Sequence, residues 1–130
     1  MKAYIVEDHE AMRFILKRLI RKNFPSIQSF AESENGEKAL EEIPSFEPDL
    51  VLVDISLPGM DGLEFIRRVR PTRHALSILV ITGHELDLYR DSALQAGADD
   101  IVSKNDDAQL LESIRTLLRR REQECEQGGG

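Results

Sequence analysis

The sequence predicts a single α/β domain built on a parallel sheet with helices on both faces. Three observations carry that prediction. Short apolar runs alternate five times with stretches of helical periodicity, and the connections between them are short. The third run is almost uniformly apolar, as a strand covered on both sides must be. Parallel neighbours require crossover helices, and right-handed crossovers distribute those helices over both faces.

Ala3-Tyr4-Ile5-Val6 reads as the first strand. From Met12 onward Ile15, Leu16, Leu19 and Ile20 recur at helical spacing, with Arg13, Lys17 and Arg21 striping another face. Ile27 to Ala31 gives the second strand. Asn35-Gly36 starts a helix through Ala39, Leu40 and Ile43, which Pro44 is expected to stop. Asp49 to Ile55 is the third and central strand. Leu63, Ile66 and Val69 mark a short helix ending before Pro71, and Ser77 to Ile81 a fourth strand. Leu86 to Ala96 is a helix with Gly97 as its C-terminal cap, and Ile101-Val102 a brief fifth strand. Asp106 or Asp107 caps the last helix, whose buried stripe is Leu110, Leu111, Ile114, Leu117 and Leu118. Its acidic start and the Arg119-Arg120-Arg121 end both suit the helix dipole. The domain is therefore expected over 1–121. Residues 122–130, where the composition turns to Glu, Gln and three glycines, form a flexible tail and a possible cloning scar.

Composition narrows the function classes. With 130 residues, 41% hydrophobic and 32% charged, the chain has the balance of an ordinary globular domain. The apolar runs are too short to span a membrane, and Met1-Lys2 leads straight into a strand with no signal peptide expected. Cys125 is the only cysteine, so no internal disulfide forms and a reducing, cytoplasmic setting is expected. A net charge of −7 argues against direct nucleic-acid binding. No pair of histidines has zinc-ligand spacing.

Chemistry gathers at the ends of the strands. Glu7-Asp8 follows the first strand, Asp54 ends the third, Thr82 the fourth, and Lys104 follows the fifth. In a parallel sheet all of these lie on one edge, the edge where open α/β sheets bind ligands. Carboxylates brought together repel one another, so the group calls for a cation; oxygen-only ligands suit a hard divalent ion, and Mg2+ would use one or two carboxylates, a carbonyl and waters. Lys104 adds positive charge and Thr82 a hydroxyl donor, which together suit a phosphoryl group attached to a carboxylate.

The chain resembles the receiver domains of two-component response regulators over about residues 2–121. The resemblance rests on Val6-Glu7-Asp8-His9, Leu52 through Gly62 (LVDISLPGMDG), Ile81-Thr82-Gly83, and Ala96-Gly97-Ala98-Asp99-Asp100 followed by Lys104. It implies a flavodoxin-like three-layer αβα fold with strand order 2-1-3-4-5. It implies that Asp54 is the phosphoacceptor, served by a sensor histidine kinase or a phosphotransfer protein. Asp8, Asp54 and the Ser56 carbonyl would ligate Mg2+ with Glu7 helping through water, while Thr82 and Lys104 would bind the phosphoryl oxygens. The role is that of a regulatory switch, not a conventional enzyme, although the domain contributes to its own phosphoryl transfer and dephosphorylation.

Two positions depart from the family pattern: Ile101 stands where an aromatic switch residue is usual, and Asn105 where proline is common. Ile101 is read as packing within its strand. His9 is read as a solvent-facing first-turn residue with a possible role at the metal or the kinase. His84 and Ser56 flank the site at positions that influence phosphoryl lifetime in the family. On the first helix, Ile15 is assigned to the core stripe and Ala11 and Met12 to kinase docking, while Phe14 faces away beside the basic residues. Gly59 and Gly62 serve turn geometry. Two other functions share parts of this pattern. A haloacid-dehalogenase-like hydrolase usually has a second aspartate where Ser56 stands, and a receiver-like interaction module would not need the full charged set. The output, whether an attached domain or a separate downstream protein, is not encoded here.

Overall fold

Alternate residues of each inner strand point to opposite faces of the sheet, and both faces are apolar because both are covered. A computed structural model describes residues 1–83 and 85–128, with side chains through Gln123. Strands β1 (Lys2–Val6), β2 (Ser29–Ser33), β3 (Leu50–Asp54), β4 (Ser77–Thr82) and β5 (Asp100–Ser103) form one parallel sheet in the order β2-β1-β3-β4-β5. The helices are α1 (Glu10–Asn23), α2 (Gly36–Phe46), α3 (Gly62–Val69), α4 (Leu86–Ala96) and α5 (Asp107–Gly128), with a 3-10 turn over Arg70–Thr72. This is the flavodoxin-like topology expected from the sequence.

One face of the sheet, with Tyr4, Val6, Val51, Val53, Ile78, Val80 and Ile101, packs under α2, α3 and α4 through Ile43, Phe65, Ile66 and Ala93. The other, with Ala3, Ile5, Leu50, Leu52, Leu79, Ile81 and Val102, packs under α1 and α5 through Leu16, Ile20, Leu110, Ile114 and Leu117. Each fully buried aliphatic side chain contributes about 1.5–3 kcal/mol. Side-chain caps fix the helix starts: Asn35 accepts from the Lys38 N–H at 2.8 Å, Asp61 from Glu64 at 2.8 Å and Asp106 from Gln109 at 3.0 Å.

Four local expectations change. The second strand is Ser29–Ser33, two residues later than expected, because β1 pairs Lys2 with Ser29 and leaves Ile27 to bury itself in the preceding loop. Pro44 lies inside α2 instead of ending it. Its missing N–H falls in the last turn, and continuing the helix brings Phe46 edge-on against Tyr4 with ring centroids 6.0 Å apart. On α1 the buried row is Met12–Leu16–Ile20, so Ile15 points outward at 52% exposure and Met12 packs against the core, the reverse of the assignment from sequence. Finally, the backbone of α5 stays helical beyond Arg121, to Gly128.

Candidate functional site

The parallel register carries the strand ends to one edge. Asp54 is in register with Ile81, and Thr82, the next residue of β4, is in register with Ser103, one residue before Lys104. The backbone N–H of Lys104 donates to the Thr82 carbonyl at 2.9 Å, which ties the β5–α5 loop to the end of β4. Val6 and Val53 are paired, so Glu7 and Asp54 leave adjacent strands side by side.

Lys104 Nζ sits 2.8 Å from Asp54 Oδ2 and 2.8 Å from Glu7 Oε2. The contact with Asp54 is an aligned hydrogen bond, and that with Glu7 is a charge contact. Asp54 Oδ1 accepts from the Ser56 N–H at 3.0 Å. The Glu7 side chain is fully buried, Asp54 nearly so, and Thr82 fully. Asp8 lies at the rim, 31% exposed, yet its Oδ1 is buried and accepts no hydrogen bond. His9 Nδ1 stands 3.0 Å from Glu7 Oε1 and 3.1 Å from Asp8 Oδ1, although most of the His9 ring is in solvent.

The sharing of charge is legible in the titration of the group. Burial pushes the Glu7 carboxyl above its ordinary range and the Asp54 charge adds to this, against the pull of Lys104 and His9. Burial pulls the Lys104 ammonium down, but its bonds to Asp54 and Glu7 outweigh that, so it is held above its usual value and stays charged. The hydrogen bond to Glu7, then the charges of Asp8 and Glu7, raise the His9 imidazole.

Loop geometry keeps the site compact. A Cβ on Gly62 would run into the Asp54 carbonyl oxygen and lie 2.8 Å from the Ile55 Cα, so only glycine lets α3 begin directly beneath the acidic strand end. Gly59 turns the same loop with φ +71°. The structure thus brings Glu7, Asp54 and Lys104 into contact, sets Asp8 beside them, and places Thr82 and Ser56 next to Asp54. Sequence reasoning did not find the contact between Lys104 and Glu7, nor Arg13, whose guanidinium donates to the Glu7 carbonyl at 2.7 Å and pins the β1–α1 loop. Arg13 lies one helical turn past His9, and that spacing was its only signal. Ile101 is buried in β5 under α4, as its strand packing requires. His84 lies outside the described residues.

Taken together, the fold and site define a doubly wound α/β domain with an acidic, lysine-bridged cluster at the C-terminal edge of its sheet. Residues 3–115 match the family described as the response regulator receiver domain, and the chain belongs to that family. It is 37% identical over 121 residues to the response regulator MprA of Mycolicibacterium vanbaalenii, covering 92% of this chain and 51% of that protein. The chain thus spans about half the length of the curated relatives it matches. A LuxR-family two-component response regulator from Aurantimonas superposes with a TM-score of 0.85 at 32% identity, covering 92% of this chain and 86% of that one. A CheY-like receiver domain protein from Methanospirillum hungatei gives 0.83 at 27% identity, with 95% and 97% covered. The chain is therefore a regulatory domain of two-component signal transduction. Among the described residues no helix is long and apolar enough to cross a membrane.

Proposed function

We propose that this domain is a cytoplasmic phosphorylation switch in which Asp54 accepts a phosphoryl group from the phosphohistidine of a sensor kinase or phosphotransfer protein. One observation carries the reading. Asp54 is a nearly buried carboxylate at a strand tip whose two oxygens are held by the Ser56 N–H and Lys104, and that lysine is shared with the fully buried Glu7 carboxylate. An Asp54 oxygen attacks phosphorus in line, the phosphorus–nitrogen bond of the donor breaks, and the imidazole leaves with the bond electrons. The protein's part is alignment and charge stabilisation. Lys104 exchanges part of its hold on the carboxylates for the incoming phosphoryl oxygens, and the Thr82 hydroxyl grips another. That grip draws the loops after β4 and β5 toward the site and biases the equilibrium between inactive and active arrangements.

The donor set fits a hard cation. Asp8 Oδ1 is buried and accepts no hydrogen bond, its one close charged neighbour among the described residues being the His9 ring, and ligand atoms of Glu7, Asp8 and His9 lie within 4.8 Å of one another. Asp8, Asp54 and the Ser56 carbonyl would hold Mg2+, with Glu7 at its water shell, and the ion would neutralise developing charge on the phosphoryl oxygens. Ala11 and Ile15, both exposed on the first two turns of α1 near the site, are where the kinase would dock. The residues that would hold Mg2+ and grip the phosphoryl oxygens also assist loss of the phosphoryl group to water, so the domain sets the lifetime of its own signal without turning over an external substrate.

The test is incubation with Mg2+ and acetyl phosphate followed by intact mass analysis. A single acid-stable, base-labile phosphoryl gain that is absent in Asp54→Ala supports the reading. Steady release of phosphate from many phosphate esters would instead indicate a hydrolase.

A further inference from the structure

The β1–α1 loop carries Glu7, Asp8 and His9, and it enters its helix without a side-chain cap, whereas α2, α3 and α5 each have one. The hold on this loop comes from the side. The Glu7 N–H donates to the Ser33 carbonyl of β2 at 3.1 Å, and the Glu7 carbonyl accepts from Arg13 Nη1 at 2.7 Å. A carbonyl and the N–H that follows it belong to one rigid plane. By fixing the Glu7 carbonyl, Arg13 fixes the peptide from which Asp8 departs, and with it the direction of the Asp8 side chain.

Arg13 is not placed as a counter-charge to the site acids. Its side chain is 13% exposed, and its ion-pair partner among the described residues is Glu32, 3.7 Å from Nε. Lys17 shares that carboxylate at 2.9 Å. The Arg13 Nε is itself buried and makes no hydrogen bond. Burying an incompletely bonded guanidinium is unfavourable, and a methionine would fill the same space without that penalty. What only the guanidinium supplies is a planar fork, one arm on the Glu7 carbonyl and its Nε side toward Glu32 on β2.

We infer that Arg13 is a positioning residue for the cation site, aiming the Asp8 carboxylate through the Glu7–Asp8 peptide. The inference rests on the reading that Asp8 and Asp54 hold Mg2+. It fixes the sign of an effect that charge alone would reverse. Arg13 is a cation next to a cation site, so by Coulomb attraction and repulsion its removal should tighten Mg2+ binding. As the group that aims a ligand, its removal loosens binding, and groups in that role typically matter about 10–100-fold in metal affinity.

The test is calorimetric titration of Mg2+ into the full 130-residue chain and its variants. Arg13→Met keeps the length of the side chain and removes every donor. It is expected to weaken Mg2+ binding about tenfold while keeping the wild-type circular dichroism spectrum. Arg13→Gln, neutral, polar and too short to reach the carbonyl, carries the same expectation should Arg13→Met fail to fold. Arg13→Lys restores the length and a donor, and is expected to recover part of the loss. In metal-free nitrogen-15 spectra the neutral variants should shift the Asp8 amide and leave the amides of Ser56 and Lys104 in place. No Mg2+ binding by the wild type, or equal binding by Asp8→Ala, would overturn the cation site and the inference together. Binding that depends on Asp8, yet is unchanged or tighter in the neutral Arg13 variants, would overturn the inference alone.

Discussion

At the N-terminal edge of the sheet Asp49 and Asp99 each hold an arginine of their own, whereas at the C-terminal edge Glu7 and Asp54 share one lysine. Asp49 receives the Lys2 N–H at 2.8 Å and the Arg121 guanidinium at 2.7 Å, and Asp99 receives the Ile78 N–H at 2.8 Å and Arg70 at 2.8 Å. Arg70 also donates to the carbonyls of Arg73, His74, Leu76 and Gly97, closing the turns beneath β4 and β5. At the other edge Glu7 and Asp54 divide Lys104 between them, and Asp8 Oδ1 has no hydrogen bond. The same residue types thus do two jobs. Where charge is balanced locally they fasten the fold, and where negative charge is left in excess they form the site proposed to take a cation and a phosphoryl group.

Mutations at the two edges should therefore separate stability from chemistry. The largest stability loss is expected at the balanced edge. Arg70→Ala leaves several carbonyls and Asp99 without their donor, and should cost about 4 kcal/mol in urea denaturation, with unchanged acyl phosphate yield per folded molecule. If that yield fell in proportion, the two edges would not be independent. Next, Lys104→Met leaves Glu7 and Asp54 facing each other without a cation. It should cost about 3 kcal/mol in Mg2+-free buffer and, unlike the Arg70 change, reduce phosphoryl acceptance by the folded protein. Third, raising Mg2+ to a hundred times its Kd should add about 2.7 kcal/mol to the wild type. Asp8→Ala should show little of that gain, and an equal gain in both would move the cation site elsewhere.

The smallest effect lies in the core between the edges. Burial, then the 2.6 Å hydrogen bond to Glu42, raises the Tyr4 hydroxyl well above its ordinary value. Tyr4→Phe should cost about 1 kcal/mol. Because folded Tyr4 and Lys104 both hold their protons more tightly than the unfolded chain does, stability from this source is complete below about pH 10 and falls as pH rises beyond it. Denaturation midpoints at neutral and alkaline pH should show a shallower fall for Tyr4→Phe than for the wild type.

The fold was legible because each β–α unit announces itself by period and cap: Asn35, Asp61 and Gly97 punctuate where the chain turns. The candidate site was legible because its residues end or directly follow strands, and a parallel sheet collects strand ends. What sequence could not supply were choices made by packing. Ile27 and Phe30 are equally strand-like, and only the register with β1 decides which is paired. Ile15 and Met12 both fit a helical stripe, and only the packing of α1 on the sheet decides that Met12 turns to the core and Ile15 to solvent. Pro44 is a stop signal overridden by the burial of Phe46. The bridge from Lys104 to Glu7 spans almost the whole chain, and no local pattern encodes it.

The claim that the charge-excess edge is a phosphoacceptor is tested most directly by mapping the modified residue. After reaction with acetyl phosphate and Mg2+, borohydride reduction converts an aspartyl phosphate to homoserine, which tandem mass spectrometry locates. Homoserine at position 54, lost when Mg2+ is withheld, is the expected result. Homoserine at any other position, or a phosphoryl gain that persists in Asp54→Ala, would contradict the account.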